Sequence, residues 1–456
     1  MYYVIFYYLC GEFKLIAMNI ERDLYKELAQ WKSKKNRKPL LLQGARQVGK
    51  TWLIKNFGEK EYKHVAYFNF EEQIELKQFF ELTKQANRII DNLSIVYGRT
   101  INPKDTLIIF DEIQECNEAI NSLKYFNENA PEYSIISSGS LLGVSLSSGK
   151  SFPVGQVDFL TLYPVSFKEF LAKADQNLYK YVSSIKEVGP IPDIFFNQLI
   201  EKLRIYFITG GMPEAIKTIL EDNDFNILQQ VQANIIKDYK LDFSKHIRSS
   251  DIPRLDYIWS SIPSQLAKEN KKFLYRTIKS GARAREYENA LLWLKHAGLI
   301  HIVNKINKPG LPLSAYTDLS SFKVYLLDVG ILRQMSNLYP DIIKTGNNLF
   351  SEFKGAFTEN FILQSLVSQF GTEQYYWTSG NVAEIDFVLQ YKNSIIPIEV
   401  KAETNIKSKS LISYSNRYNP EIKIRYSLKN LSFDGDLLNI PLFMVDFTEG
   451  LLSRIK

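Results

Sequence analysis

The clearest pattern along the chain is a series of short, wholly apolar runs. Each ends in polar residues and is followed by a stretch of helical period. Such runs occur in PLLLQ at 39–43, HVAYFNFEE at 64–72, DTLIIFDEIQ at 105–114 and EYSIISSGS at 132–140. Apolar residues in unbroken sequence, without alternation, predict strands buried on both faces, and strands alternating with helices predict an α/β core with a parallel sheet. From 166 to 250 the period is helical, through FKEFLAKA, FFNQLIEKLRIYFITGG and a long run into IIKDYKLDFSKH. GGMP at 210–213 interrupts these helices with two glycines and a proline. Residues 251–335 predict helix, turn, helix and then an apolar strand. Further on, EFKGAFTENFILQSLVSQF predicts an amphipathic helix, and YYWTS, EIDFVLQY, SIIPIEVKAE and LFMVDFTE predict strands. The expected organisation is an extension (1–17), an α/β core (18–165), a helical lid (166–250), a mixed segment (251–335) and a C-terminal α/β domain (336–456).

Composition narrows the chemistry. The chain has 456 residues, which is enough for two to four domains. At 45% hydrophobic and 23% charged, it is ruled out as a wholly disordered protein. Two cysteines, Cys10 and Cys116, exclude a disulfide scaffold and a four-thiolate metal site. The four histidines form no HExxH cluster. A net charge of +6 permits a polyanionic partner without requiring one. Residues 1–17 are apolar and aromatic, but Glu12 and Lys14 interrupt them, and no basic segment precedes them. They read as an upstream extension, with Met18 as the expected start. No other stretch approaches about 18 uninterrupted apolar residues, so no stable membrane insertion and a cytoplasmic location are expected.

GARQVGKT at 44–51 lies between the first strand and a helix. Its spacing matches GxxxxGK[ST], with Gly44, Gly49, Lys50 and Thr51 at the fixed positions and Ala45, Arg46, Gln47 and Val48 between them. Glycines let backbone N–H groups curl toward phosphate oxygens, and the positive end of the helix adds to them. Lys50 places a cation on the β/γ-phosphates, and Thr51 offers a hydroxyl to Mg²⁺. About 60 residues on, Asp111 closes the strand Leu107–Phe110, where α/β proteins bind ligands. Asp111 is suited to hold Mg²⁺ through water. Glu112, next to it, is suited to orient and deprotonate an attacking water. Ser137, Ser138 and Ser140 end the fourth strand, where a hydroxyl can reach the γ-phosphate or that water.

With these segments, LYPVSFKEFL at 162–171 and GGMPEAI at 210–216 complete a set that resembles the AAA+-type ATPases with a C-terminal DUF4143 domain. The resemblance extends over essentially everything after Met18. It implies an additional-strand (ASCE) P-loop NTPase core with ATP and Mg²⁺ on Lys50, Thr51 and Asp111, catalysis on Glu112 and a sensor role on Ser138. One departure stands out. No arginine lies between Arg99 and Arg204, and GKSFPVGQV at 149–157 offers only Lys150. An arginine to neutralise transition-state charge must come from Arg204 or later, from Arg46, or from another copy in a homo-oligomer. Otherwise hydrolysis is slow and the protein acts as a switch.

The segment 251–335 looks like a winged helix, and the resemblance supports one there. Arg276, Lys279, Arg283 and Arg285 crowd its middle. Arg283 and Arg285 are the candidate contacts to double-stranded DNA. In the C-terminal domain, pairing of EIDFVLQY with SIIPIEVKAE brings Asp386 near Glu399, and Lys401 shares a strand face with Glu399. Glu359 on the preceding helix adds a third carboxylate. This set resembles the PD-(D/E)xK nuclease fold, whose chemistry would use a second Mg²⁺ or Mn²⁺ there. Two functions follow as expectations. One is an ATPase that couples its cycle to DNA handling, with metal-dependent cleavage in the C-terminal domain. The alternative is a slow ATP switch whose C-terminal domains bind partners without cleaving them.

Overall fold

The structure is a computed structural model. It describes residues 19–140, 153–247, 251–268, 271–279, 281–341, 351–371, 373–380, 383–402 and 408–455, without the side chains of 245–246 and 351–353. The extension 1–17, Cys10 and Lys150 lie outside the described residues.

The first sheet is built from β1 (Leu40–Gln43), β2 (His64–Asn69), β3 (Thr106–Asp111), β4 (Ser134–Ser138) and β5 (Asp158–Thr161). All its pairings are parallel, in the order β2-β3-β4-β1-β5. Strand β1 thus lies inside the sheet, with the aspartate-bearing β3 one strand beyond its neighbour β4. Successive residues serve opposite faces. Leu40 and Leu42 pack with Leu53, Ile54 and Phe57 of α2 (Lys50–Glu61), whereas Leu41 joins Phe68, Phe110 and Ile135 on the other face. That face is covered by α3 (Lys77–Leu82), α4 (Ala86–Tyr97) and α5 (Asn117–Asn129). Every residue of β3 is buried, which explains its unbroken apolar run. Strand β5 was not expected. It is four residues long and only partly buried at the sheet edge, so it carries neither an apolar run nor an alternation.

Ahead of the sheet lies α1 (Leu24–Ser33). Beyond it come the helices α6 (Phe167–Ala174), α7 (Gln176–Ser184), α8 (Asp193–Thr209), α9 (Pro213–Glu221) and α10 (Phe225–His246). The start of α6 is set by a capping box. Ser166 Oγ accepts from the Glu169 amide, and Glu169 Oε2 accepts from the Ser166 amide at 2.9 Å. The chain then turns through Gly210 (φ 71°) into α9, where Pro213 occupies the first turn.

Residues 251–341 contribute α11 (Ile252–Leu266), α12 (Tyr275–Ile278), α13 (Ala284–His296), the hairpin of β6 (Ile300–Ile306) with β7 (Thr317–Leu326), and α14 (Val329–Met335). The rest comprises α15 (Ser351–Phe370), β8 (Tyr375–Thr378), β9 (Glu384–Tyr391), β10 (Ser394–Val400), α16 (Lys409–Tyr418), β11 (Lys423–Ser427), β12 (Ser432–Asp434), β13 (Leu437–Pro441) and α17 (Thr448–Ile455). LFMVDFTE, expected as a strand, is instead a 3-10 helix at Leu442–Phe447 that runs into α17, because a short buried apolar run does not by itself distinguish strand from helix. The second sheet runs β12-β13-β11-β10-β9-β8-β6-β7. Its β6 pairs in parallel with β8, so the hairpin of 300–326 and the strands of 375–441 form one sheet across the boundary expected at 335. One apolar core runs from the α1/α2 face of the first sheet through the helices into this second sheet. No helix among the described residues is long and apolar enough to cross a membrane.

A buried carboxylate ties the two halves together. Asp328 Oδ1 accepts from the Ile331 amide at 3.0 Å, capping α14, and Oδ2 accepts from the Gly211 amide at 2.5 Å. A Cβ at Gly210 would sit 2.2 Å from Asp328 Oδ1, so the GGMP turn fits only as glycine there. Burial pushes the Asp328 carboxyl up to about 6, although the amides of Gly211, Ile331 and Gly330 pull the other way. The native state therefore holds this proton to higher pH than the unfolded chain does, and stability falls as pH rises from about 4 to 6, by about 3 kcal/mol in all. Asp328→Asn will flatten that part of the stability–pH curve, measured by urea unfolding at pH 4.5 and 6.5.

Candidate functional site

The loop 44–51 leaves β1 and enters α2, as the strand–glycine–helix pattern predicts. Gly44 has φ 146°, and a Cβ there would meet the Leu162 carbonyl oxygen at 2.2 Å. Gln47 takes the left-handed conformation (φ 65°), as does Gly49 at the start of α2 (φ 93°). Lys50 is buried. Its Nζ donates to the carbonyls of Gly44 and Ala45 at 2.9 and 2.8 Å. Burial lowers its pKa to about 8, against the pull of Glu112 and Asp111; Arg46 nearby adds to the lowering.

Asp111 sits at the centre of a polar knot. Thr51 Oγ1 and the Tyr67 hydroxyl each donate to its Oδ2 at 2.8 Å. Ser138 Oγ and the Glu112 amide donate to its Oδ1. Thr51 and Asp111, expected as Mg²⁺ partners, are therefore together. This hydroxyl and carboxylate are hard oxygen donors of the kind that Mg²⁺ takes beside phosphate oxygens and water, and they fit the ion. Glu112 adopts a left-handed backbone (φ 49°, ψ 44°), a strained arrangement of the kind found at functional sites. Its Oε2 accepts from Gln114 Nε2 at 2.6 Å and from Ser140 Oγ at 3.3 Å. Ser138 is buried against Asp111, while Ser140 is the serine at Glu112.

Several site residues were missed in the sequence. Tyr67 lies mid-strand and looked like core. Arg22 stands 26 residues ahead of Val48, yet it donates to the Val48 carbonyl at 3.0 Å and the Tyr163 carbonyl at 2.6 Å, and its Nε lies 3.2 Å from Glu169 Oε2. A cavity of about 290 Å³ adjoins the first turn of α2, lined by Arg22, Asp23, Tyr25, Trp52, Asn56 and Tyr179. A second, of about 270 Å³, is lined by Gly44 and Ala45 of the loop and by Lys295 and Gly298 of the α13–β6 turn, which packs against Ala45.

In the C-terminal domain the expected carboxylates do assemble. In the β9–β10 hairpin Ile398 pairs with Phe387, and Asp386 Oδ2 accepts from the Val400 amide at 2.8 Å. Lys401 Nζ lies 3.0 Å from Glu399 Oε1. What sequence reading missed is two lysines from the preceding segment. Lys271 pairs with Glu359, and the fully buried Lys323 pairs with Glu384. The Tyr325 hydroxyl donates to Glu359 Oε2 at 3.0 Å. Burial opposes charge on Lys323, but Glu384, Glu359 and Asp386 outweigh it and keep it protonated. Burial likewise opposes charge on Glu359, and Lys271 and Lys323 overcome it and hold its pKa below the ordinary value. Burial, then Glu359, pushes the Asp386 carboxyl well above the usual carboxylate range. Among the described residues no three His, Cys, Asp or Glu side chains are placed to hold a metal ion. Lys271 and Lys401 pair with two of the three expected ligands, Glu359 and Glu399, whereas Asp386 is held by the Val400 amide alone and the buried Glu399 Oε2 has no hydrogen-bond partner among the described residues.

Arg283 and Arg285 are exposed at the start of α13, with Arg276 and Lys279 exposed just before them.

Residues 36–171 match the AAA domain family, residues 200–341 match a domain of unknown function (DUF8612), and residues 354–443 match a domain of unknown function (DUF4143). No curated protein matches the chain. Among solved structures, the chain is similar to the Aeropyrum pernix ORC1 protein in complex with DNA, at 13% identity over 69% of this chain and 90% of that one, with a TM-score of 0.28. It is also similar to Drosophila ORC bound to DNA (13% identity, 68% and 93% covered, TM-score 0.27) and to AMPPCP-bound DnaA from Aquifex aeolicus (13%, 60% and 85%, TM-score 0.20). The loop 44–51 with Asp111 and Glu112 falls inside the first family match, and Glu359, Asp386, Glu399 and Lys401 fall inside the last. Residues 36–171 therefore form an AAA-type domain by family match, and residues 354–443 match DUF4143.

Proposed function

We propose that the protein binds and hydrolyses ATP, and that the cycle controls how its C-terminal half engages DNA. The observation that carries the reading is the cluster of Lys50, Thr51, Asp111 and Glu112 at the carboxyl ends of the parallel strands β1 and β3, with β4 between them. The loop amides and Lys50 bind the β- and γ-phosphates. Thr51 and Asp111 would hold Mg²⁺, which neutralises phosphate charge. The cavity beside Trp52 is of a size to take the base. Glu112 accepts the proton of the attacking water, held in orientation by Gln114 and Ser140. Glu112→Gln will retain ATP binding and lose at least about 100-fold in kcat. An ATPase assay beside a nucleotide-binding titration checks this, and undiminished turnover refutes the role.

The exposed basic residues at the start of α13 support the DNA part of the reading. Arg283→Ala combined with Arg285→Ala will weaken duplex binding and lower the slope of log affinity against log salt by about 2. An unchanged slope removes these residues from the interface. ATP turnover that is indifferent to duplex DNA favours the partner-binding switch instead. The C-terminal carboxylates are read as a lysine-neutralised structural network rather than as a nuclease centre.

A further inference from the structure

The tip of the nucleotide loop is not open to solvent on all sides; α10 grips it. Arg46 pairs with Asp242 and lies 3.9 Å from Glu71. Gln47 Nε2 donates to Asp238 Oδ2 at 2.8 Å, and the Tyr239 hydroxyl donates to the Arg46 carbonyl at 3.0 Å. Asp238, Tyr239 and Asp242 stand at i, i+1 and i+4, one face of one helix. The Arg46 side chain is 31% exposed although that of Asp242 is buried, so water screens the pair from the arginine side and leaves the guanidinium a path away from it.

Two other cations at the loop, among the described residues, are committed. Arg22 has three partners and is buried, and Lys50 lies inside the loop. No arginine occurs between Arg99 and Arg204. Arg46 is four residues from Lys50, and its charge is felt at the Lys50 ammonium.

We propose that Arg46 is a catalytic arginine supplied by the same chain, which neutralises the transferring phosphoryl group, and that Asp242 and Glu71 compete with that group for it. The assignment rests on the loop being the ATP site. In the step it serves, the water oxygen bonds to the γ-phosphorus and its proton passes to Glu112. The bond to the β,γ-bridging oxygen breaks, and ADP leaves with the electron pair. Charge builds on the phosphoryl oxygens as this happens, and a guanidinium meets two of them at once. Release of Arg46 loosens the hold on α10. Tyr239 and Phe243 of α10 pack edge-on against Trp259 of α11, with ring centroids 6.1 and 6.2 Å apart. The same contact thus links phosphate chemistry to the segment that bears the basic residues.

The test is steady-state ATP hydrolysis and ATP binding by the full chain. Arg46→Ala should lower kcat by about 1,000-fold with KM changed by less than about threefold. Arg46→Lys should restore only a small part, because an ammonium cannot meet two oxygens in a plane. Asp242→Asn should raise kcat by about two- to fivefold, the gain expected from freeing a partly exposed ion pair. Glu71→Gln, exposed and harmless to the fold, should move kcat the same way. Specific activity should not depend on protein concentration. A near-normal Arg46→Ala, or unchanged or reduced kcat in both Glu71→Gln and Asp242→Asn, overturns the assignment. So does specific activity that climbs with protein concentration, which would place the arginine in a second copy. If Lys50→Ala binds ATP normally, it is the nucleotide site itself that is wrong. If Lys50→Ala loses ATP while Arg46→Ala turns over normally, only the role of Arg46 is wrong.

Discussion

Lys50→Ala will bind ATP at least about 100-fold more weakly than the wild type, the scale expected when one partner of a buried, charge-assisted contact is truncated. The reason lies in how the lysine is held. Its ammonium is buried beneath the loop and satisfied by two neutral carbonyls, so burial has already depressed its pKa to about 8. An anionic polyphosphate supplies the stronger partner that burial denied it, and that gain is the binding energy lost in the variant. A pH dependence follows with a definite sign. Phosphate binding favours the protonated lysine and raises its pKa in the complex. Below about pH 8 the free protein already carries the charge, and affinity is flat with respect to this group. Above it, a proton must be taken up on binding, and affinity falls by up to about tenfold per pH unit. Titrations of ATP at pH 7, 8 and 9 check both parts. Wild-type affinity that holds steady to pH 9, or Lys50→Ala affinity equal to wild type, would remove Lys50 from the phosphates.

Much of this site was legible because its parts are local. The loop is eight consecutive residues between a strand and a helix, and the aspartate proposed to hold Mg²⁺ ends an apolar run whose burial is written in the run itself. What could not be read was contact at long range. Tyr67 looks like any half-buried strand residue until the parallel register with β3 brings its hydroxyl to Asp111. Arg22 precedes a helix with no motif around it. Asp238 and Asp242 sit among lysines in a run that carries only a helical period; the packing of α10 across the loop gives them partners. Strand β5 escaped because an edge strand of four residues needs no apolar run. Two motifs that were only phrases gained physical reasons. The SFKE of 166–169 is a capping box whose glutamate also holds Arg22, and the first glycine of GGMP fits beneath the Asp328 carboxylate. In the C-terminal domain the order of helix and strands brought the carboxylates together as expected. Their meaning changed because Lys271 and Lys323 come from a segment that the sequence places in a different domain, and the shared sheet delivers them.

That change makes Lys323 the most consequential residue of the second half. It has no exposed side-chain surface, pairs with Glu384, and lies 4.8 Å from the centre of the Tyr376 ring. Glu359 and Asp386 also draw on its charge. Removing it leaves the buried Glu359 and the partly exposed Glu384 without that cation; breaking a fully buried pair costs about 3–5 kcal/mol, and the exposure of Glu384 puts this one at the low end. Lys323→Ala should therefore show a large fall in unfolding free energy by urea denaturation. The loss should be greatest near neutral pH, where those carboxylates must ionise, and should shrink in acid as they take up protons. Pairing Lys323→Met with Glu384→Gln should recover much of the loss, since an apolar side chain of similar length beside a neutral amide leaves less charge uncompensated. A divalent-metal centre would behave in the opposite way. Mn²⁺ would raise the melting temperature of the wild-type protein, and Asp386→Ala would abolish that rise. With lysines already on Glu359 and Glu384, Mn²⁺ should leave the wild-type melting temperature unchanged, because a metal would have to displace a buried ammonium to enter. A clear Mn²⁺-dependent stabilisation lost in Asp386→Ala would show that the lysines yield to metal, and would return the cluster to nuclease chemistry.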